Sequence, residues 1–242
     1  MLTAGVDLSA SPASTAVAVV QWTEHHARLL QLVTPADDST IRQLVDGTDR
    51  CGIDSPFGWP DGFVEFVARH HRGTTPTDSR LDDIGRRRPL AYRRTDLYLV
   101  EHGLGRPLSV SADQIAHVAF RCAGLLADLD VTDRVDGWAV EAYPAGALKH
   151  WGLTSRGYKR SGNRAVLQSL CEDLQAAAPW LDLGAYVDLM CHDDNAFDAV
   201  VTALIARAAS LGATTLPDEF DMPVAQREGW IHVPNRAFDD LR

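Results

Sequence analysis

Three apolar runs separated by two short polar breaks fill the first 33 residues. Residues 2–9, 14–22 and 27–33 carry the β-branched and aliphatic density of strands, and Ser9-Ala10-Ser11-Pro12 and Thr23-Glu24-His25-His26 read as turns. Connections this short imply an antiparallel meander, because parallel neighbours need a crossover. The period then changes. Asp38-Ser39-Thr40 opens a helix through about Val45 with capping chemistry, and residues 50–54 form a short apolar strand. In this β-β-β-α-β order the helix serves as the crossover, which sets strand four parallel to an earlier strand.

From Pro56-Phe57-Gly58-Trp59-Pro60 onward the pattern turns helical, with Phe63, Phe66 and Val67 at helix spacing. Residues 73–96 are polar, irregular and rich in arginine, and residues 97–102 and 112–129 are helical again, so about 57–132 forms a helical, basic insertion. Residues 136–143 give a fifth strand that Pro144 ends. Helices follow at 145–151, 163–178 and from Asp194 to Gly212, making a helical C-terminal part over about 145–212. The tail Glu228-Gly229-Trp230-Ile231-His232-Val233-Pro234 suits an edge strand. The expected architecture is α/β: one domain over 1–242 with a mixed five-stranded sheet, three antiparallel strands then parallel ones, flanked by helices.

Length and composition change this picture little: 242 residues allow one sizeable core, and the mix is that of an ordinary globular chain. A formal net charge of -10 speaks against a wholly basic coat for nucleic acid but leaves room for a local basic groove. Four cysteines without CxxC spacing read as reduced packing thiols, and Cys191-His192-Asp193 lacks the partner spacing of a zinc site. With no apolar run of spanning length and no leader pattern, a cytoplasmic chain without membrane contact is expected.

Acids mark the edges of the apolar runs. Asp7, Asp54 and Glu141 stand at or just past the ends of strands, where ligands collect in open sheets with parallel strands. Asp194 and Asp198 are four apart and share one helix face. Converging carboxylates repel and raise one another's pKa values, and magnesium or manganese relieves this because hard cations prefer oxygen ligands. Such ions activate water for phosphodiester cleavage. Each acid also has a plainer role: Asp54 can bond the Ser-Pro turn and Asp194 can cap its helix. Asp198, beside Phe197 and Ala199-Val200-Val201, and Glu141, between Trp138 and Tyr143, are harder to read as bland surface acids.

Basic residues supply the complement. Arg86 to Arg88 and Arg93-Arg94 have nearby Asp residues, as in a solvated loop. Residues 149–164 hold Lys149, Arg156, Lys159, Arg160 and Arg164 with no acid among them, which suits phosphate contacts. Tyr158 and Trp151 could stack on bases, core packing being the plainer role of Trp151.

Gly5-Val6-Asp7-Leu8-Ser9, Ile53-Asp54-Ser55-Pro56-Phe57-Gly58, Arg93-Arg94-Thr95-Asp96, Glu141-Ala142-Tyr143-Pro144, Tyr158-Lys159, Asp194 to Ala199 and Glu228-Gly229-Trp230-Ile231, in this order, resemble the domain of unknown function 429 family. That resemblance spans nearly the whole chain. It implies a ribonuclease-H-like fold and a nuclease akin to Holliday-junction resolvases. Carried over, Asp7, Asp54, Glu141 and Asp198 would be catalytic, and Asp7, Glu141, Asp194 and Asp198 would hold Mg2+ or Mn2+. Arg93, Arg94, Lys159 and Arg164 would bind a nucleic-acid substrate, DNA or RNA, and the resolvases imply a homodimer. The position three before Asp198, where resolvases often place a partner acid, is Asn195. Two further readings stay open. The small-residue turn from Ala10 to Thr15 suits an ATP-binding hairpin of the sugar-kinase and actin kind, and a non-catalytic module could keep the fold with structural acids.

Overall fold

The opening meander forms because its first two runs place apolar side chains on both faces of a sheet that helices later cover, whereas the third alternates, with Arg28, Leu30 and Gln31 exposed. In the computed structural model, which describes residues 1–242 with the exception of the Ser161 side chain, these runs are β1 (Leu2–Asp7), β2 (Ala16–Trp22) and β3 (Ala27–Val33), paired antiparallel. Helix α1 (Asp38–Val45) is capped by Asp37, whose Oδ1 accepts from the Thr40 N–H at 2.7 Å. It leads into β4 (Arg50–Asp54), parallel to β1 with Asp7 opposite Asp54. Helices α2 (Asp61–His71), α3 (Ile84–Ala91), α4 (Arg94–Glu101) and α5 (Ala116–Asp128) follow. Strand β5 (Ala139–Ala142) then joins β4 in parallel.

The remainder is α6 (Pro144–His150), α7 (Arg164–Ala177), β6 (Leu181–Asp182), α8 (Val187–His192), α9 (Asp194–Ser210), α10 (Met222–Glu228) and β7 (Ile231–His232). The sheet is mixed and seven-stranded, in the order β6-β3-β2-β1-β4-β5-β7. Its five central strands are those expected. The tail supplies an edge strand, β7, beside β5, and the two-residue β6, too short to leave a pattern, extends the other edge beside β3. Helix α3 lies inside the stretch expected to be irregular. Its run of arginines shows no apolar stripe, and Asp83 starts it by accepting the Gly85 N–H at 2.8 Å. Among the described residues no helix is long and apolar enough to cross a membrane.

Helices cover both faces. Odd residues of β1 and even residues of β4 face α9, whereas Ala4, Val6, Cys51 and Ile53 face the core shared with α1 and α5. Helix α9 is buried nearly all round, between the sheet and the α7–α8 layer. It lies so close that a Cβ at Gly5 would overlap the Ala199 carbonyl oxygen, and one at Gly52 would sit 2.6 Å from the Thr202 oxygen. Glycine at both positions lets the helix backbone touch the sheet.

Candidate metal centre

Two strand ends and one helix build the centre. Asp7 and Asp54 are register partners at the carboxyl ends of parallel strands, so their side chains leave the same face. That face meets α9, whose Asp198 is fully buried. Asp7, Asp54 and Asp198 each offer an oxygen such that all three lie within 4.8 Å of one another.

Burial, then the negative charge of Asp198, holds the Asp7 carboxyl well above the usual carboxylate range. Burial also lifts Asp54, to about 7, against the pull of the Lys159 ammonium. Two groups fix the surroundings of Asp198. The Tyr158 hydroxyl donates to Oδ1 at 2.8 Å, and the Lys159 Nζ stands 2.5 Å from Oδ2. That ion pair lacks hydrogen-bond geometry, leaving Oδ2 buried and without a hydrogen-bond partner. Asn195, one turn before Asp198, lines a cavity of about 330 Å³ together with Asp7, Asp54 and Lys159.

Glu141 was expected in this cluster; it lines the same cavity as Asp7, Asp54 and Lys159 and its charge adds to the lift on Asp54, but it lies outside the three-carboxylate group. It pairs with Ile53, not Asp54, so its side chain leaves the opposite face of the sheet. There Arg93 binds both oxygens, Nη2 to Oε1 at 2.7 Å and Nη1 to Oε2 at 2.8 Å, and the Phe57 N–H donates to Oε2 at 2.9 Å. Burial pushes the Glu141 carboxyl up and Arg93 pulls it down. Arg93, expected at the substrate, is only 1% exposed and also binds Asp96 and the Glu228 carbonyl. Its pKa is raised by Asp96 and Glu141 in spite of burial.

The other expected site residues scatter. Asp194 lies outside the three-carboxylate group and accepts the Arg160 N–H at 3.3 Å, and the cap of α9 is Asp193, bonded to the Asn195 and Ala196 amides. Arg94 is paired with Asp221 and Glu101. Arg164 is exposed at the start of α7. Tyr158, weighed as a base-stacking group, is 1% exposed and packs edge-on to Phe197.

Two structural residues escaped the sequence reading. Arg121 reaches from α5 into the β1–β2 loop, donating to the Ser9 carbonyl and Thr15 Oγ1, both at 2.7 Å. Glu228 receives the first amides of two helices, Asp61 N–H at 2.7 Å and Arg94 N–H at 2.6 Å. An isolated arginine on a helix and an acid in a tail carry no periodic signal, although Glu228 does lie in the family motif.

No curated protein and no solved structure matches the chain. The model of the family described as "Protein of unknown function (DUF429)" matches residues 5–222, a span holding Asp7, Asp54, Asp198 and Lys159, and the chain belongs to that family.

Proposed function

We propose that this protein hydrolyses phosphodiester bonds in nucleic acid with magnesium or manganese held by Asp7, Asp54 and Asp198. One observation carries the reading: three carboxylates from separate elements converge within 4.8 Å. The donors are all oxygen, which fits a hard divalent cation. Three carboxylates against the single Lys159 ammonium leave a net charge that such an ion matches. The order of the central strands, with α9 crossing β1 on the carboxylate side, supports a ribonuclease-H-like description of the domain.

When bound, the ion supplies Lewis acidity and acidifies a coordinated water. The chain's own groups prepare the place. Metal binding favours the ionised forms of Asp7 and Asp54, against the burial and the Asp198 charge that raise both carboxyls. Tyr158 secures Oδ1 of Asp198 and leaves Oδ2 as the donor. Lys159, its side chain 52% exposed, leaves the carboxylates and turns to the substrate phosphate.

A non-catalytic module is the second reading, favoured by the 2.5 Å approach of Lys159 to Asp198, which partly neutralises the acids without metal. The ATP-hairpin reading loses support in the β1–β2 loop. The amides of Ser9, Ala13, Ser14 and Thr15 already donate to Thr15 Oγ1, Ser11 Oγ, the Ser11 carbonyl and the Pro12 carbonyl, so the loop offers few amides to phosphate.

The test is calorimetric titration with Mn2+ beside cleavage of labelled oligonucleotides, wild type against Asp7→Asn. The reading expects binding and cleavage that the variant loses while staying folded. Equal Mn2+ affinity in both chains would remove Asp7 from the site, and binding without cleavage of any oligonucleotide would favour the module.

A further inference from the structure

A second concavity, about 640 Å³, lies between α3 and α4 and takes no part in the carboxylate site. Three arginines, Arg87, Arg88 and Arg106, line it, and Tyr92, Leu97 and Val100 give it an apolar floor. Among the described residues these arginines have no carboxylate partner within ion-pair distance. Arg87 donates only to the carbonyls of Leu81 and Asp82, and the nearby Asp83 carboxylate caps α3. Three unpaired cations over an apolar floor stand out on a chain of net charge -10.

This groove and the carboxylate cavity share one wall. Arg106 and Ala112 line the groove, and Pro107, Leu108 and Ile115, from the same segment, line the cavity. The segment is tied down to α3: the Ser111 hydroxyl donates to the Leu90 carbonyl at 2.7 Å, and the Ser109 hydroxyl donates to the Ala91 carbonyl. Ser109 and Val110 are 1% exposed, yet Leu108 beside them remains 56% exposed at the cavity. An anchored turn thus keeps an apolar side chain in solvent on the ridge between an acidic cavity and a cationic groove.

We propose that the groove is the track for a single-stranded stretch of the polynucleotide whose scissile phosphate enters the carboxylate cavity. The proposal rests on the phosphodiesterase reading above and adds the state and path of the substrate. Arginines bind the backbone phosphates, while Tyr92 and Leu108 offer surfaces to unstacked bases, the pairing of cationic groove and stacking platform that strands without sequence preference use. A duplex keeps its bases stacked and inaccessible to such a floor. Its stiffness also resists the bend that a path from the groove, past Leu108, into the carboxylate cavity requires.

The experiment is fluorescence anisotropy of a labelled twelve-nucleotide oligothymidylate in EDTA, so that neither metal nor cleavage enters the readout. The chains are wild type, an Arg88→Ala/Arg106→Ala double variant, the corresponding double lysine variant, Tyr92→Ala and Tyr92→Phe. The double alanine variant should bind at least tenfold more weakly, with a log–log salt slope shallower by roughly 1.4 for two lost single-strand contacts. Lysine should restore most of the slope. Tyr92→Ala should weaken binding at least fivefold and Tyr92→Phe should not. The matching duplex should bind at least tenfold more weakly than the single strand. Unchanged affinity and salt slope in the double alanine variant would overturn the track, as would a duplex or a polyglutamate peptide bound as tightly with the same arginine dependence. Failure of the two readings is separable. Arginine-dependent strand binding by a chain that cleaves nothing overturns the hydrolase and keeps the track, and cleavage with arginine-independent binding does the reverse.

Discussion

Arg93 holds Glu141 by both ends of its guanidinium, with Nη2 2.7 Å from Oε1 and Nη1 2.8 Å from Oε2, and the two side chains are 1% and 3% exposed. The same guanidinium meets Asp96 at 3.0 Å. Gly229, at φ 84°, closes over the pair, since a Cβ there would lie 2.9 Å from Oε2 of Glu141. The conspicuous acid of β5 is therefore part of a clamp that joins β5, α4 and the end of α10. It lines the same cavity as Asp7 and Asp54, although its side chain leaves the other face of the sheet.

Arg93→Leu should destabilise the fold by about 3–5 kcal/mol, because it strands Glu141 and Asp96 as buried, unpaired charges. Glu141→Gln should leave Mn2+ affinity within about twofold of wild type, as expected of a carboxylate outside the three-carboxylate group whose charge Arg93 already balances. Urea denaturation checks the first and calorimetry the second. A Glu141→Gln chain that no longer binds Mn2+ would return Glu141 to the ligand set.

Lys159 stands where a cation is wanted, with its Nζ 2.5 Å from Asp198 Oδ2, and the three acids beside it, Asp198 foremost, keep its pKa well above the ordinary lysine value. Lys159→Gln should therefore bind Mn2+ several-fold more tightly, since the ion no longer displaces an ammonium. It should bind oligonucleotide more weakly, with a shallower salt slope. Calorimetry and anisotropy on the same preparation separate the two effects. A fall in both affinities would make Lys159 a simple support of the cluster.

The central strands were legible because their apolar runs are dense and their breaks short, and β3, α1 and β4 match the sequence boundaries residue for residue. Asp7, Asp54 and Asp198 were legible as acids in apolar settings. Whether an acid on β5 joins them depends on which β4 residue it pairs with, and a single-residue offset reverses the face. No local pattern encodes that offset. The role of Arg93 was illegible for the same reason: an arginine in a basic stretch looks solvated until its partners, 48 residues away at Glu141 and 135 away at the Glu228 carbonyl, close around it. Helix α9 was legible in part. Its sequence read as a helix, and only the structure shows that it is buried nearly all round and that glycine at 5 and 52 lets its backbone touch the sheet.

Gly5→Ala should cost about 3 kcal/mol or more, at the upper end of overpacking penalties, because the new methyl meets helix backbone that cannot rotate away. The displaced helix carries Asp198, so Mn2+ affinity should fall with stability even though Gly5 touches no ligand. Gly124→Ala, on α5 with open space at its Cβ, serves as the control and should be neutral or slightly stabilising. Thermal denaturation and Mn2+ titration of the two variants test this. A stable Gly5→Ala chain would mean that α9 rides further from β1 than described.

The pH dependence of the metal-free protein follows from the raised carboxyls. Asp54 has an ordinary value of 3.8 and a folded value of about 7, and Asp7 is shifted the same way. Between those values the folded chain binds protons that the unfolded chain has released. Stability therefore falls as pH rises across the interval, opposite to the usual salt-bridged carboxylate. In EDTA, the urea midpoint of wild type should fall relative to Asp54→Asn between about pH 4 and pH 7, where the variant lacks the titrating group. With saturating Mn2+ the trend should reverse, because binding expels those protons and tightens as pH rises through the same range. Parallel midpoints for wild type and Asp54→Asn in EDTA would show that the cluster is fully ionised without metal. The Lys159 ammonium would then alone hold the three carboxylates together.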